Sequence, residues 1–150
     1  MIVPVLVDTN ILVYAYDRSE PVKQQRTLDV LAWLVREGGG AVTTQILAEF
    51  FVAVTRGLRE PLAVPDAYTR LANLVAIWRV LDMTGGIVLE AARGVRDHQM
   101  AFYDAQIWAA ARSAHIPIVL SEDFNTGASI EGVRFVNPFV PEFTPGDWLA

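Results

Sequence analysis

The sequence predicts an α/β domain with a mainly parallel sheet. Three observations carry that reading. Short runs of aliphatic and β-branched residues alternate with longer segments of helical periodicity, the order expected when a chain crosses over between parallel strands. The first run, Ile2 to Val7, is apolar without interruption, as in a strand covered on both faces. The composition, 150 residues with 53% hydrophobic and 19% charged, suits one core-building domain. At that length roughly two-thirds of the unfolded surface is buried, and no disulfide or structural zinc is needed.

The elements follow in order. Ile2–Val7 is the first strand, broken by Asp8-Thr9-Asn10, and Ile11–Tyr16 is a short helix. Pro21 fits the first turn of a helix to Glu37 with apolar Leu28, Leu31, Trp33, Leu34 and Val35, and Gly38–Gly40 end it. No Gly-Lys-Ser/Thr follows those glycines, so they are not a phosphate loop. Ala41–Thr43 is a strand, and Ile46–Thr55 is a helix with apolar Ile46, Leu47, Phe50, Phe51 and Val54. Pro65-Asp66 opens a helix to Ile77, Val80-Leu81 is a brief strand, 85–98 is helical, and Phe102–Ala114 is a strong helix. Ile116–Leu120 and Val133–Val136 complete the strands, and the tail from Asn137, with three prolines, reads as irregular.

Several function classes drop out. The chain has no cysteine, which excludes disulfide scaffolds, iron–sulfur clusters and thiol nucleophiles. Two histidines, His98 and His115, are too few and too far apart for a histidine metal site. The N-terminus does not read as a signal peptide and no apolar run is long enough to span a membrane, so a soluble cytoplasmic protein is expected. The net charge is −5, so the chain is no general polyanion binder. Lys23 is the one lysine among 12 basic residues, the others being arginines suited to carboxylates and phosphates.

Sites in such sheets form beyond the carboxyl ends of the strands, and four acids fall there. Asp8 directly follows the first strand, where it serves either a site or the cap of the next helix. Glu49 lies at the edge of an apolar arc, either half inside the protein or solvated and paired with Arg56. Asp104 shares a helix face with Ile107, Trp108 and Ala111, which is costly for a charge unless it is compensated or caps the helix. Asp123 lies just past the fourth strand, in Ser121-Glu122-Asp123-Phe124, with Glu122 expected to face solvent. Carboxylates sharing a cleft repel: two charges ~4 Å apart cost about 4 kcal/mol at an effective dielectric near 20. Either protons or a hard divalent cation must neutralise them, and an oxygen-only donor set selects Mg²⁺ or Mn²⁺. Such ions serve phosphate chemistry.

Asp8-Thr9-Asn10 after the first strand, Glu49, Tyr103-Asp104-Ala105 opening an alanine-rich helix, and Ser121-Glu122-Asp123-Phe124 together resemble the PIN-domain family. Among its members the resemblance is greatest to the VapC-type ribonuclease toxins of toxin–antitoxin pairs. It runs from Ile2 to Phe139, including Val136-Asn137-Pro138, and rests on order and spacing more than on any one motif. It implies a parallel sheet of about five strands flanked by helices and a Mg²⁺- or Mn²⁺-dependent endoribonuclease. Asp8, Glu49, Asp104 and Asp123 match the family's acidic quartet, with Asp8 and Asp104 as primary metal ligands. Glu49 and Asp123 would bind directly or through water, and Glu49 would take a proton. Ser121 and Asn10 match supporting positions. Glu122, inserted between Ser121 and Asp123, departs from the family pattern. The resemblance also implies an RNA substrate, a VapB-type antitoxin and a homodimer, for which the Trp78–Ile77 stripe is available, although core packing is the more usual use of such a stripe. Arg18, Arg26, Arg56 and Arg59 are candidates to rim the cleft or simply occupy solvated faces; Tyr14 and Tyr16 either stack bases or are partly buried, and Trp148 either stacks a base or packs the tail.

Rival readings fare worse. A haloacid-dehalogenase-like phosphatase wants an acid where Asn10 stands and a late lysine, and a receiver-like domain wants the same lysine. A dinucleotide-binding module needs a glycine-rich turn where Thr9-Asn10-Ile11 stands. A stand-alone RNA-processing nuclease and a catalytically silent RNA- or protein-binding module stay open.

Overall fold

Pro4 has no amide proton to give a sheet ladder, and the first strand, β1 (Val5–Val7), begins immediately after it. The computed structural model describes residues 3–124 and 126–149, so the Ile2 end of the expected strand lies outside the described residues. Asp8 caps α1 (Thr9–Tyr14), which therefore starts two residues before the apolar periodicity does. α2 (Pro21–Glu37) opens on a proline, whose missing N–H is no loss there, and closes on Gly38 at φ 77°.

β2 (Gly40–Thr43) leads straight into α3 (Thr44–Val52), with the Thr43 hydroxyl accepting from the Ile46 N–H at 3.0 Å. The helix widens into a π-helical turn, Ala53–Gly57, of the kind found often at functional sites. Then come α4 (Val64–Ile77), β3 (Arg79–Leu81), α5 (Gly85–His98) capped by Thr84, and α6 (Phe102–Ser113). β4 (Ile118–Leu120) starts after Pro117, two residues later than the apolar run suggests, for the reason that applies at Pro4.

With two further strands, β5 at Ser129–Ile130 and β6 at Val133–Val136, the sheet order is β3-β2-β1-β4-β6-β5. The five expected strands are all parallel, with β6 at Val133–Val136. The sixth, β5 (Ser129–Ile130), is a short antiparallel edge joined to β6 through Glu131 and Gly132, both at positive φ (47° and 86°). Such a two-residue turn favours Asn-Gly or Asp-Gly, and a glutamate in the left-handed region gives no sequence signal.

Helices cover both faces. α5 packs on α6 at a point where only glycine fits: a Cβ on Gly94 would lie 2.7 Å from the fully buried Trp108 ring. Gly40 is required for the same reason, because a Cβ there would meet the Trp78 ring at 1.9 Å. Trp78 is thus core, the more usual of the two uses open to that stripe; its neighbour Ile77 remains 61% exposed. In the tail, Pro145–Trp148 forms one helical turn, α7, and Phe143 and Leu149 are buried. This part of the tail is ordered packing, not irregular chain. Arg26 donates to the carbonyls of Pro138 (2.9 Å) and Val140 (3.3 Å), so it ties the tail down and does not rim a cleft. Among the described residues, no helix is long and apolar enough to cross a membrane.

Candidate active site

The chain leaves β1 towards β2 on one side, while β4 leads to β6 on the other. Strand order reverses between β1 and β4, and a crevice opens at their carboxyl ends. Asp8 and Ser121 are the first residues past those two strands. They are held side by side: the Asp8 N–H donates to the Leu120 carbonyl at 2.9 Å, and the Ser121 hydroxyl to Asp8 Oδ2 at 2.7 Å. Asp8 Oδ1 accepts from the Thr9 N–H at 2.7 Å. Both Asp8 and Ser121 are buried.

Asp104 enters from the first turn of α6, where the helix dipole favours a negative charge. The helix is capped at Ala101, so Asp104 is not its cap, and it is half-buried beside the crevice. Asp123 arrives on the turn after β4. One carboxylate oxygen each from Asp8, Asp104 and Asp123 lies within 4.8 Å of the other two. Glu49 stands outside this trio. It lines the same cavity of about 420 Å³, exposed, with Thr9 Oγ1 donating to it at 2.9 Å and Gln45 Nε2 at 3.0 Å. Thr9 and Gln45, rather than Arg56, are its partners.

Crowding acids without a cation has an electrostatic signature. Burial pushes the Asp8 carboxyl from 3.8 up to about 6; hydrogen bonds from Ser121 and Thr9 pull it down, and Asp123 and Asp104 push it up again. Asp104 is raised too, first by burial and then by Asp123 and Glu49. None of the arginines expected at the rim lines this cavity. Arg18 and Arg59 line a neighbouring one that shares Asp17 and Leu58 with it, and Arg56 is exposed in the π-helical turn.

The turn carrying Asp123 is pinned at three points. Asn10 Nδ2 donates to Asp123 Oδ2 at 3.0 Å and approaches Ser121 Oγ at 3.4 Å, and the Asp123 N–H donates to Ser121 Oγ at 3.2 Å. Glu122 is not the solvent-facing spacer expected of it. It accepts from the Tyr14 hydroxyl at 2.6 Å and pairs with Lys23 at 2.7 Å. Asp123, which the inserted glutamate made the odd member of the quartet, therefore sits in the trio, and Glu49 does not. Tyr14 is held by its hydroxyl in this lock, Tyr16 meets Phe50 edge-on and Trp148 meets Phe143, and all three are half-buried. Sequence reading missed Thr9, Gln45 and Lys23 as parts of the site; only the four-residue spacing of Gln45 and Glu49 on one helix was visible beforehand.

These features define an α/β domain with an acidic crevice at its topological switch. The PIN domain family model matches residues 5–126, and the chain belongs to that family. Among solved structures, the fold is similar to a toxin–antitoxin complex from Klebsiella pneumoniae, with TM-score 0.66 and 18% identity over 90% of this chain and 98% of that one. It is also similar to VapC20 of Mycobacterium tuberculosis, described as a Sarcin-Ricin loop cleaving toxin, with TM-score 0.65 and 18% identity over 87% and 98%. A third is VapBC2 of Rickettsia felis bound to a promoter DNA fragment, with TM-score 0.61 and 14% identity over 87% and 96%. At these identities the likeness is one of fold. Comparison with curated protein sequences gives no match.

Proposed function

We propose that this chain is a divalent-metal-dependent endoribonuclease and the toxin of a toxin–antitoxin pair. The observation that supports this most is the trio itself: three carboxylates within 4.8 Å, with no arginine or lysine lining their cavity. The donor set fits a hard cation. It is all oxygen, it carries more negative charge than the crevice can neutralise, and it leaves Asp8 half-protonated near pH 6 when no cation is present. Asp8, Asp104 and Asp123 would hold Mg²⁺ or Mn²⁺. When bound, the ion supplies Lewis acidity towards a phosphate oxygen and makes water nucleophilic at neutral pH.

The chain's own residues do the rest. Ser121 and Asn10 fix the directions of Asp8 and Asp123. Glu49, outside the trio and oriented by Thr9 and Gln45, accepts the proton that the attacking water loses. Water oxygen bonds to phosphorus and the bond to O3′ breaks, with the departing O3′ taking a proton from solvent, leaving a 5′-phosphate and a 3′-hydroxyl.

The partner proposal draws on the similar folds, several of which are described as complexes of toxin with antitoxin. A homodimer through α4 is supported by Val64, Tyr68 and Val75, which are exposed and share one face of the helix. The deciding experiment is an RNA cleavage assay with Mg²⁺, Mn²⁺ or EDTA, run on the parent and on Asp104→Asn. Cleavage that needs a divalent ion and is lost in the variant is the expected result. Cutting in EDTA, or equal rates, refutes the mechanism. Growth arrest on expression, relieved by the adjacent reading frame, tests the toxin assignment.

A further inference from the structure

Large aromatic side chains are seldom left in water without a use, and this chain leaves one at the lip of its crevice. Tyr103 is 68% exposed, directly precedes Asp104 on α6, and lines the same cavity as the acid trio. Phe102, 39% exposed, braces it edge-on, with ring centroids 5.9 Å apart. Val13, Leu58 and Ile107 line the same cavity, so it offers apolar surface together with the carboxylates. The carboxylates suit phosphate chemistry through a cation, and the apolar lining suits a flat ring. The charge balance points the same way. With a net charge of −5 and no basic side chain in the cavity, phosphate neutralisation by protein is a weak source of affinity.

From this we infer that Tyr103, braced by Phe102, is a stacking platform for one unpaired nucleobase beside the scissile phosphate. The substrate class is then RNA with that base single-stranded or already extruded. The inference rests on the nuclease reading and narrows it. A base inside a duplex cannot reach a ring on the lip without leaving its stack. Base–aromatic stacking supplies affinity that is tolerant of sequence and insensitive to salt, unlike phosphate contacts.

The test uses single-stranded oligoribonucleotides carrying 2-aminopurine at successive positions, with a matching duplex, titrated into the full chain in EDTA and then in Mg²⁺. Quenching at one position is expected, with preference for the single strand and a shallow dependence on salt. Tyr103→Leu should abolish the quenching and raise KM by about 5- to 100-fold with less change in kcat, while Tyr103→Phe retains both. Because Tyr103 is a surface residue, an unchanged Tm verifies that the variants are folded. Equal KM for Tyr103→Leu and parent, a preference for duplex, or a steep salt dependence overturns the platform and leaves the nuclease assignment standing. Loss of antitoxin capture with RNA handling intact also overturns it, assigning the rim to a protein. If no RNA is cut under any condition but the Tyr103-dependent quenching persists, the nuclease reading falls and the platform stands.

Discussion

The two ends of α6 treat charge in opposite ways. At its last turn, Arg112 pairs with Glu90 and lies 3.6 Å from Glu131, while Arg93 reaches Glu90 at 2.6 Å and Glu131 at 3.0 Å, and His98 joins Glu131 at 2.6 Å. Both guanidinium groups also lie over the Trp108 ring, at 5.5 and 5.4 Å. There the carboxyls are held low: Glu90 by Arg93, and Glu131 to about 2 by Arg93 and His98. At its first turn, Asp104 faces Asp8 and Asp123 with no base among them, and the carboxyls of Asp104 and Asp8 are driven up. One helix thus carries a completed ionic network at one end and an incomplete one at the other. The chain possesses arginines and spends them away from the crevice, so the missing positive charge there has to come from a cation or from protons.

Four experiments would break or sharpen this contrast. The largest effect belongs to Asp104→Asn: RNA cleavage should fall by at least about 10²-fold while Tm in EDTA is unchanged or rises. A fall in Tm without loss of cleavage would make the two ends alike.

Next is the pH response of the cation-free protein. The folded-state pKa of Asp8, about 6, lies above its ordinary 3.8, so between those values the folded chain binds more protons than the unfolded one. Its share of stability is fully present below pH 3.8 and is lost as pH rises through 6, about 3 kcal/mol in all. Asp8→Asn should therefore raise the Tm measured in EDTA at pH 7.5 by several degrees and flatten this slope. Mg²⁺ should raise the parent's Tm and barely move the variant's, because only the parent offers a completed ligand set.

A steric comparison follows. Gly40→Ala drives a Cβ into Trp78 and should cost about 1–3 kcal/mol in urea denaturation, without altering cleavage by the folded fraction. The smallest effect is at the paired end. Glu131→Gln should lower Tm by roughly 2–4 °C and leave cleavage unchanged. Glu131 is held low, so its contribution is present above pH 4.5 and disappears as pH falls towards about 2, the reverse of Asp8.

Local signals made much of this legible. Apolar runs and helical periodicity indicated the five parallel strands and the principal helices, because burial on both faces leaves its mark on consecutive residues. The positions after β1 and β4 directed attention to Asp8 and Asp123 for a topological reason, while Ser121 came only from the family resemblance. What escaped was set by contacts distant in sequence. Glu122 looked like a solvated insertion because its partner Lys23 lies 99 residues away. Arg26 looked available until the tail folded back onto it. Trp78 and Ile77 are adjacent and both apolar, and only the missing Cβ of Gly40 decides which is buried. The β5–β6 turn was silent because Glu131 adopts a backbone conformation its residue type rarely signals.

The Glu122–Lys23 pair has a practical consequence. Since this polypeptide has a single ε-amine, amine chemistry addresses one side chain, Lys23, whose partner Glu122 directly precedes Asp123 on the loop that the pair helps to hold. Reductive methylation would keep its charge and acetylation would erase it. Comparing the two adducts, each also modified at the α-amine, would separate the electrostatic part of loop tethering from the steric part, with no mutation and with a readout by isotope-edited NMR of the labelled methyls on Lys23.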